Sequence, residues 1–188
     1  MSPAEGSARG ARIVSAALAL GTRSGVGALS LGAIAAEAQV SKALVLYHFG
    51  GKAALLEALA TTAGQANAAR LAAAARTPRA MAAWRSLLRD PALQREAALF
   101  GALHLESDVD ATRTMAVREA REDAASALAV AVLADVGLVA RVPAPAIGRL
   151  LLRQLDGLAS AGARGALGAD ALEAEIDTFA LSLIGLAR

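Results

Sequence analysis

The chain of 188 residues contains no cysteine, which excludes a disulfide scaffold, a thiol nucleophile and any cysteine-ligated zinc or iron–sulfur centre. Aromatics are scarce too, with one tryptophan, one tyrosine and three phenylalanines. Valine, isoleucine and threonine number only 23, too few to furnish several strands, so a sandwich, barrel or Rossmann-type sheet is not expected. Long apolar runs are also missing. The longest, Ala124 to Ala134, lies between Asp123 and Asp135 and falls short of the roughly 18–20 residues that a membrane span needs. Arg9 and Arg12 ahead of Ile13–Leu20 mimic a short signal peptide, but the amphipathic pattern runs on and Arg23 interrupts it without a convincing cleavage region. The expectation is a cytoplasmic protein with no membrane partner.

What is present is alanine, 52 residues, and leucine, 29, together 43% of the chain. Both are strong helix formers, so the fold class expected is all-α. The formal net charge is +2, and all of it sits in the first third: residues 1–60 carry five basic against three acidic side chains, while residues 61–188 balance. The only lysines, Lys42 and Lys52, lie in that first third, where a polyanion would dock.

Prolines and glycines divide the chain. Residues 1–7 read as a loose tail, and a first helix is expected over about 8–22, burying Ile13, Ala17 and Leu20. A short helix should follow Ser30, carrying Leu31, Ile34, Ala35 and Ala38 on one face, and a third should follow Ser41. Gly50-Gly51 interrupts, and a long helix runs from Lys52 to about Arg76. Further helices are expected near 78–89, 91–106, 110–137, 144–167 and 169–187, about nine in all.

Residues 31–52, LGAIAAEAQVSKALVLYHFGGK, have the form of two short helices joined by a tight turn, a helix-turn-helix. Ala35 is small enough for close approach, Val40 and Val45 supply the contacts that set the crossing, and Ser41 caps the second helix. Its first residues, Lys42, Ala43 and Leu44, then stand at the end that enters a major groove. Lys42 suits guanine O6/N7 or a phosphate, and Ala43 and Leu44 suit a thymine methyl.

These residues resemble the TetR (tetracycline-repressor-like) family of transcriptional regulators. Ser30, Leu31, Ile34, Ala35, Ala38, Val40, Ser41, Lys42, His48, Phe49 and Lys52 match its N-terminal signature without a gap, over about residues 9–60. Two positions depart from it. Gln39 replaces the usual turn glycine, at a cost of about 1 kcal/mol if it turns left-handed. Leu46 replaces the usual tyrosine, with Tyr47 next to it. The resemblance implies DNA contacts by Ser30, Gly32 (through its backbone), Lys42, Ala43, Leu44, Tyr47, His48 and Lys52. It also implies a DNA-binding domain over 1–52 and a helical ligand-binding and dimerisation domain over 53–188.

Within that second region, candidate pocket residues are Met81, Trp84, Phe100, Leu103, His104, Met115 and Arg118. The stripes Ile147, Leu151, Leu155, Leu158, Gly162 and Leu172, Ile176, Phe179, Leu183 fit a homodimer interface, or else intramolecular core. His104 with Glu106 and Asp108 makes a poor ligand set, so no metal and no cofactor are expected. No catalytic constellation is placed. The function expected is a ligand-responsive repressor that binds a palindromic DNA operator as a homodimer and is released by a small apolar effector. The alternative is an all-helical small-molecule-binding or protein-interaction module without DNA binding.

Overall fold

A computed structural model describes residues 3–106, 109–165 and 168–187. Among the described residues there are nine α-helices: α1 (Pro3–Ser24), α2 (Leu31–Glu37), α3 (Lys42–Phe49), α4 (Lys52–Ala75), α5 (Ala80–Arg89), α6 (Pro91–Leu105), α7 (Met115–Asp135), α8 (Ala144–Ala163) and α9 (Ala169–Gly185). Among the described residues the only β-type pairing is an isolated bridge between Ala140 and Ala187. The alanine and leucine content thus has its expected consequence, an all-α fold.

Helix ends differ from the sequence reading where local polar chemistry intervenes. The expected tail is helical from Pro3, a residue that tolerates the first turn because it has no N–H to satisfy. The helix expected from 110 begins only at Met115. Asp110 accepts hydrogen bonds from the Thr112 backbone N–H at 2.8 Å and its hydroxyl at 2.7 Å, holding a turn that competes with helix. The helix expected to reach 167 is described to Ala163, and residues 166–167 lie outside the described chain, as do Ser107 and Asp108.

The chain divides into two compact units. The first comprises residues 1–63 and 99–115, the second residues 64–98 and 116–188, so α4 and α6 each contribute to both. The core of the first unit gathers Ile13 and Ala17 of α1, Ile34 and Ala35 of α2, Val45 of α3, Leu55, Leu56 and Leu59 of α4, and Leu99 and Leu103 of α6. All are at most 4% exposed. The second unit buries Trp84 and Leu88 of α5, Leu128 and Val132 of α7, Ile147, Leu151 and Leu155 of α8, and Ile176, Phe179 and Leu183 of α9. No single helix among the described residues is long and apolar enough to cross a membrane.

Candidate nucleic-acid interface

The first unit builds its site from two capped helices and one turn. Ser30 is extended, and its hydroxyl accepts from Ala33 N–H at 3.1 Å. Ser41 does the same for Leu44 N–H, also at 3.1 Å, and so starts α3. Each cap satisfies one of the donors that a helix start leaves open. Between them, Gln39 adopts φ 54°, the only positive φ outside glycine among the described residues. The Val40 N–H reaches back to Ala35 O at 2.9 Å and the Gln39 N–H to Ala36 O at 3.1 Å. This pair of bonds is a Schellman ending with Gln39 in the position glycine normally takes. The left-handed turn anticipated for Gln39 is therefore present. Gly50, at φ 73°, closes α3 with the simpler left-handed ending, a single bond from its N–H to Leu46 O at 2.7 Å.

Below this scaffold, Ile34, Ala35 and Val45 are buried and anchor the crossing of α2 on α3. A bidentate ion pair from Arg23 to Glu37, 3.3 and 2.9 Å, ties the end of α1 to the end of α2. The result is a rigid seat for the outer face of α3.

That face carries the predicted contact residues. Lys42 and Ala43 are exposed, Leu44 is half-buried, and Tyr47 stands 72% exposed, an uncommon position for an aromatic ring with no polar cause inside the chain. The His48 ring is half-buried, 5.5 Å from the Tyr47 ring edge-on, and its buried Nε2 has no partner among the described residues. Leu46, on the same helix, is 39% exposed. Ser30 and Gly32 are exposed at the start of α2, and a Cβ on Gly32 would meet nothing within 4 Å, so the backbone there is open to approach. Lys52 is exposed at the first turn of α4. The eight predicted DNA-contact positions therefore fall on the two short helices and the turn of α4 that follows, and seven of them are exposed or half-buried side chains.

The other predicted sites are placed differently. Of the pocket candidates, Trp84 is fully buried and packs its ring 5.8 Å from that of Phe179, and Met81 is half-buried. Phe100 and Leu103 are buried, and Phe100 and His104 bring their rings to 4.2 Å, with His104 Nδ1 2.8 Å from Phe100 O. Met115 is 54% exposed and Arg118 is exposed, so these two side chains face solvent. Of the dimer-interface candidates, Ile147, Leu151, Leu155, Leu158, Ile176, Phe179 and Leu183 are all buried in the core of their own unit. An apolar stripe has the same spacing whether it packs inside a chain or against a copy. Gly162 is exposed and Leu172 is half-buried.

Sequence reasoning also missed a buried ionic group. Arg121, 4% exposed, donates from Nη2 to Asp156 Oδ1 at 2.8 Å and approaches Asn67 Oδ1 at 3.5 Å, with Asn67 fully buried. The signal was available: Arg121 interrupts the apolar series Val117, Ala124, Leu128 at helical spacing. Among the described residues no group of three or more His, Cys, Asp or Glu side chains is placed to hold a metal ion.

Two serine-capped short helices joined by a tight turn, with a basic, aromatic-bearing outer face, have the form of a DNA-binding helix-turn-helix. Residues 13–59 match the family model of bacterial regulatory proteins of the tetR family. The chain is similar to the crystal structure of a transcriptional regulator from Rhodococcus sp. Rha1, with 25% identity and TM-score 0.73, covering 95% of this chain and 97% of that one. Its fold is also that of a TetR-family regulator from Pectobacterium atrosepticum (22% identity, TM-score 0.72, 100% and 98% covered). A TetR-family regulator from Agrobacterium tumefaciens shares the fold as well (19%, 0.70, 97% and 100%). No curated protein matches the sequence closely enough to count as a relative. Residues 13–59 thus match the tetR family, and the chain shares the all-helical fold of these regulators.

Proposed function

We propose that this protein is a ligand-responsive repressor that binds a palindromic operator as a homodimer, with α3 as the reading helix of each subunit. The observation that carries the reading is the outer face of α3. Its buried side is locked by Val45 and its start by Ser41, while Lys42, Ala43 and Tyr47 are left exposed together. Lys42 donates to a guanine edge or a phosphate, Tyr47 to a phosphate, and Ser30, His48 and Lys52 add contacts along the backbone. Leu44, beside them, offers apolar contact to a thymine methyl.

Dimerisation is the second part. A two-fold reader needs a partner for the second half-site. With the inner residues of α8 and α9 consumed by the unit's own core, the large apolar side chains left exposed to a second copy on α9 are Leu181, 70% exposed, and Ile184, 44% exposed, three residues apart. A small apolar effector that favours a subunit arrangement with mis-spaced reading helices would lower operator affinity by population shift.

The test is selection of bound fragments from genomic DNA with the full chain, followed by gel shift on a recovered fragment. Lys42→Ala and Tyr47→Ala are each expected to weaken binding about 5- to 150-fold, by loss of a phosphate or base-edge contact worth about 1–3 kcal/mol, with circular dichroism unchanged. Unaltered binding by both variants would overturn the assignment of α3.

A further inference from the structure

We propose that Arg12 of α1 is a DNA-phosphate ligand beside the reading helix, a contact outside the helix-turn-helix itself; this rests on the DNA-binding reading above. A groove of about 280 Å³ is lined by Arg9 and Arg12 of α1, Gln39 and Val40 of the turn, and Leu44 of α3. Arg9 and Arg12 are three residues apart, hence on one helix face, and both are exposed. Arg12 also lines an adjoining groove of about 370 Å³ together with Ser15, Glu37 and Gln39. It therefore stands at the junction of the two.

Charge decides what this place accepts. Glu37 is the acidic side chain lining either groove, and both its oxygens are taken by Arg23. Among the described residues Arg12 makes no ion pair, so its charge is not cancelled by a neighbour. The first turn of α3, with Lys42, adds the same sign next to Leu44. An anion is the complement.

Position decides which anion. A helix seated in the major groove has a row of phosphates along each side, and a residue on a neighbouring element beside its N-terminal end meets the backbone, not base edges. Arg12 is on such an element and shares its groove with Leu44 of the reading face. A guanidinium fork matches two phosphate oxygens at once. The left-handed turn at Gln39 contributes by holding Val40 and Leu44 as the far wall. Arg12 thus sets register and affinity without reading sequence.

The experiment is fluorescence anisotropy of a labelled random-sequence duplex of about 30 base pairs, some three helical turns, titrated with the full chain across a salt series. Arg12→Ala should bind about tenfold more weakly at about 0.1 M salt. Its log–log salt slope should fall by about one for each Arg12 engaged. Arg12→Lys should retain the slope, and Arg76→Ala, an exposed arginine after α4, should change neither quantity. Thermal melts of the variants should coincide with wild type. Wild-type slope and affinity in Arg12→Ala, or an equal loss in Arg76→Ala, would overturn the proposal while leaving the DNA-binding reading standing. Failure of the wild-type chain to bind any duplex would overturn both.

Discussion

Gly148 on α8 lies so close to Ser126 on α7 that a Cβ there would stand 2.3 Å from Ser126 Oγ and 2.7–2.8 Å from Ser126 backbone atoms. The nearest obstacle includes main chain, which cannot swing aside. Gly148→Ala should therefore lower stability by about 1–3 kcal/mol, seen as an earlier denaturant midpoint with an unchanged slope. A variant as stable as wild type would show that the two helices separate at little cost.

The turn of the helix-turn-helix offers the opposite prediction. Gln39 occupies the left-handed region at φ 54°, where a Cβ is a steric burden. Gln39→Gly should stabilise by up to about 1 kcal/mol, offset in part by the greater freedom of glycine in the unfolded chain. Gly50→Ala, at φ 73°, should destabilise by a comparable amount. Thermal melts of the pair, moving in opposite directions, check the assignment.

Asp156 holds the carboxylate end of the buried Arg121 group. Asp156→Ala should cost about 1–3 kcal/mol, since it removes a charge-assisted hydrogen bond between a 4%-exposed guanidinium and a carboxylate that is itself 38% exposed. Replacing both members with apolar residues of similar volume should cost less than the single change. Chemical denaturation of the single and double variants distinguishes a structural ion pair from an expendable one.

Acid should weaken the second unit through Glu173. The hydrogen bonds from Arg89, followed by the charges of Arg89 and Arg85, hold the Glu173 carboxyl below its ordinary value of 4.5. A depressed carboxyl contributes stability that is present above that ordinary value and is lost as pH falls through the folded one. Glu96 has the opposite sign: burial pushes it up, so acidification from its raised value down to 4.5 favours the folded state. Melting temperatures below pH 4.5 should therefore fall less steeply for Glu173→Gln than for wild type. Parallel curves would remove Glu173 from the acid limb.

Subunit association should depend on Leu181 and Ile184. On the proposed homodimer, wild type should sediment as a dimer and the double variant Leu181→Ser/Ile184→Ser as a monomer, with little change in melting, because both side chains are exposed within the chain. A variant that sediments like wild type would place the interface elsewhere.

The sequence by itself determined the all-α class, both serine caps and the register of the helix-turn-helix. Each rests on local chemistry: alanine and leucine propensity, a hydroxyl three residues before an N–H, and side chains repeating every three or four residues. Gln39 could be placed in the turn for the same reason. What residues 147–183 pack against was not local. The stripe from Ile147 to Leu158 and that from Ile176 to Leu183 have a periodicity that is blind to whether the partner is the same chain or a copy, and tertiary packing assigned them inward. Arg121 was invisible as a buried charge until α7 brought it to Asp156, 35 residues away along the chain. Arg12 likewise read only as one of two basic residues ahead of the apolar run Ile13–Leu20 until folding set it beside Gln39 and Leu44. Helical spacing says which residues share a face; only the fold says what that face meets.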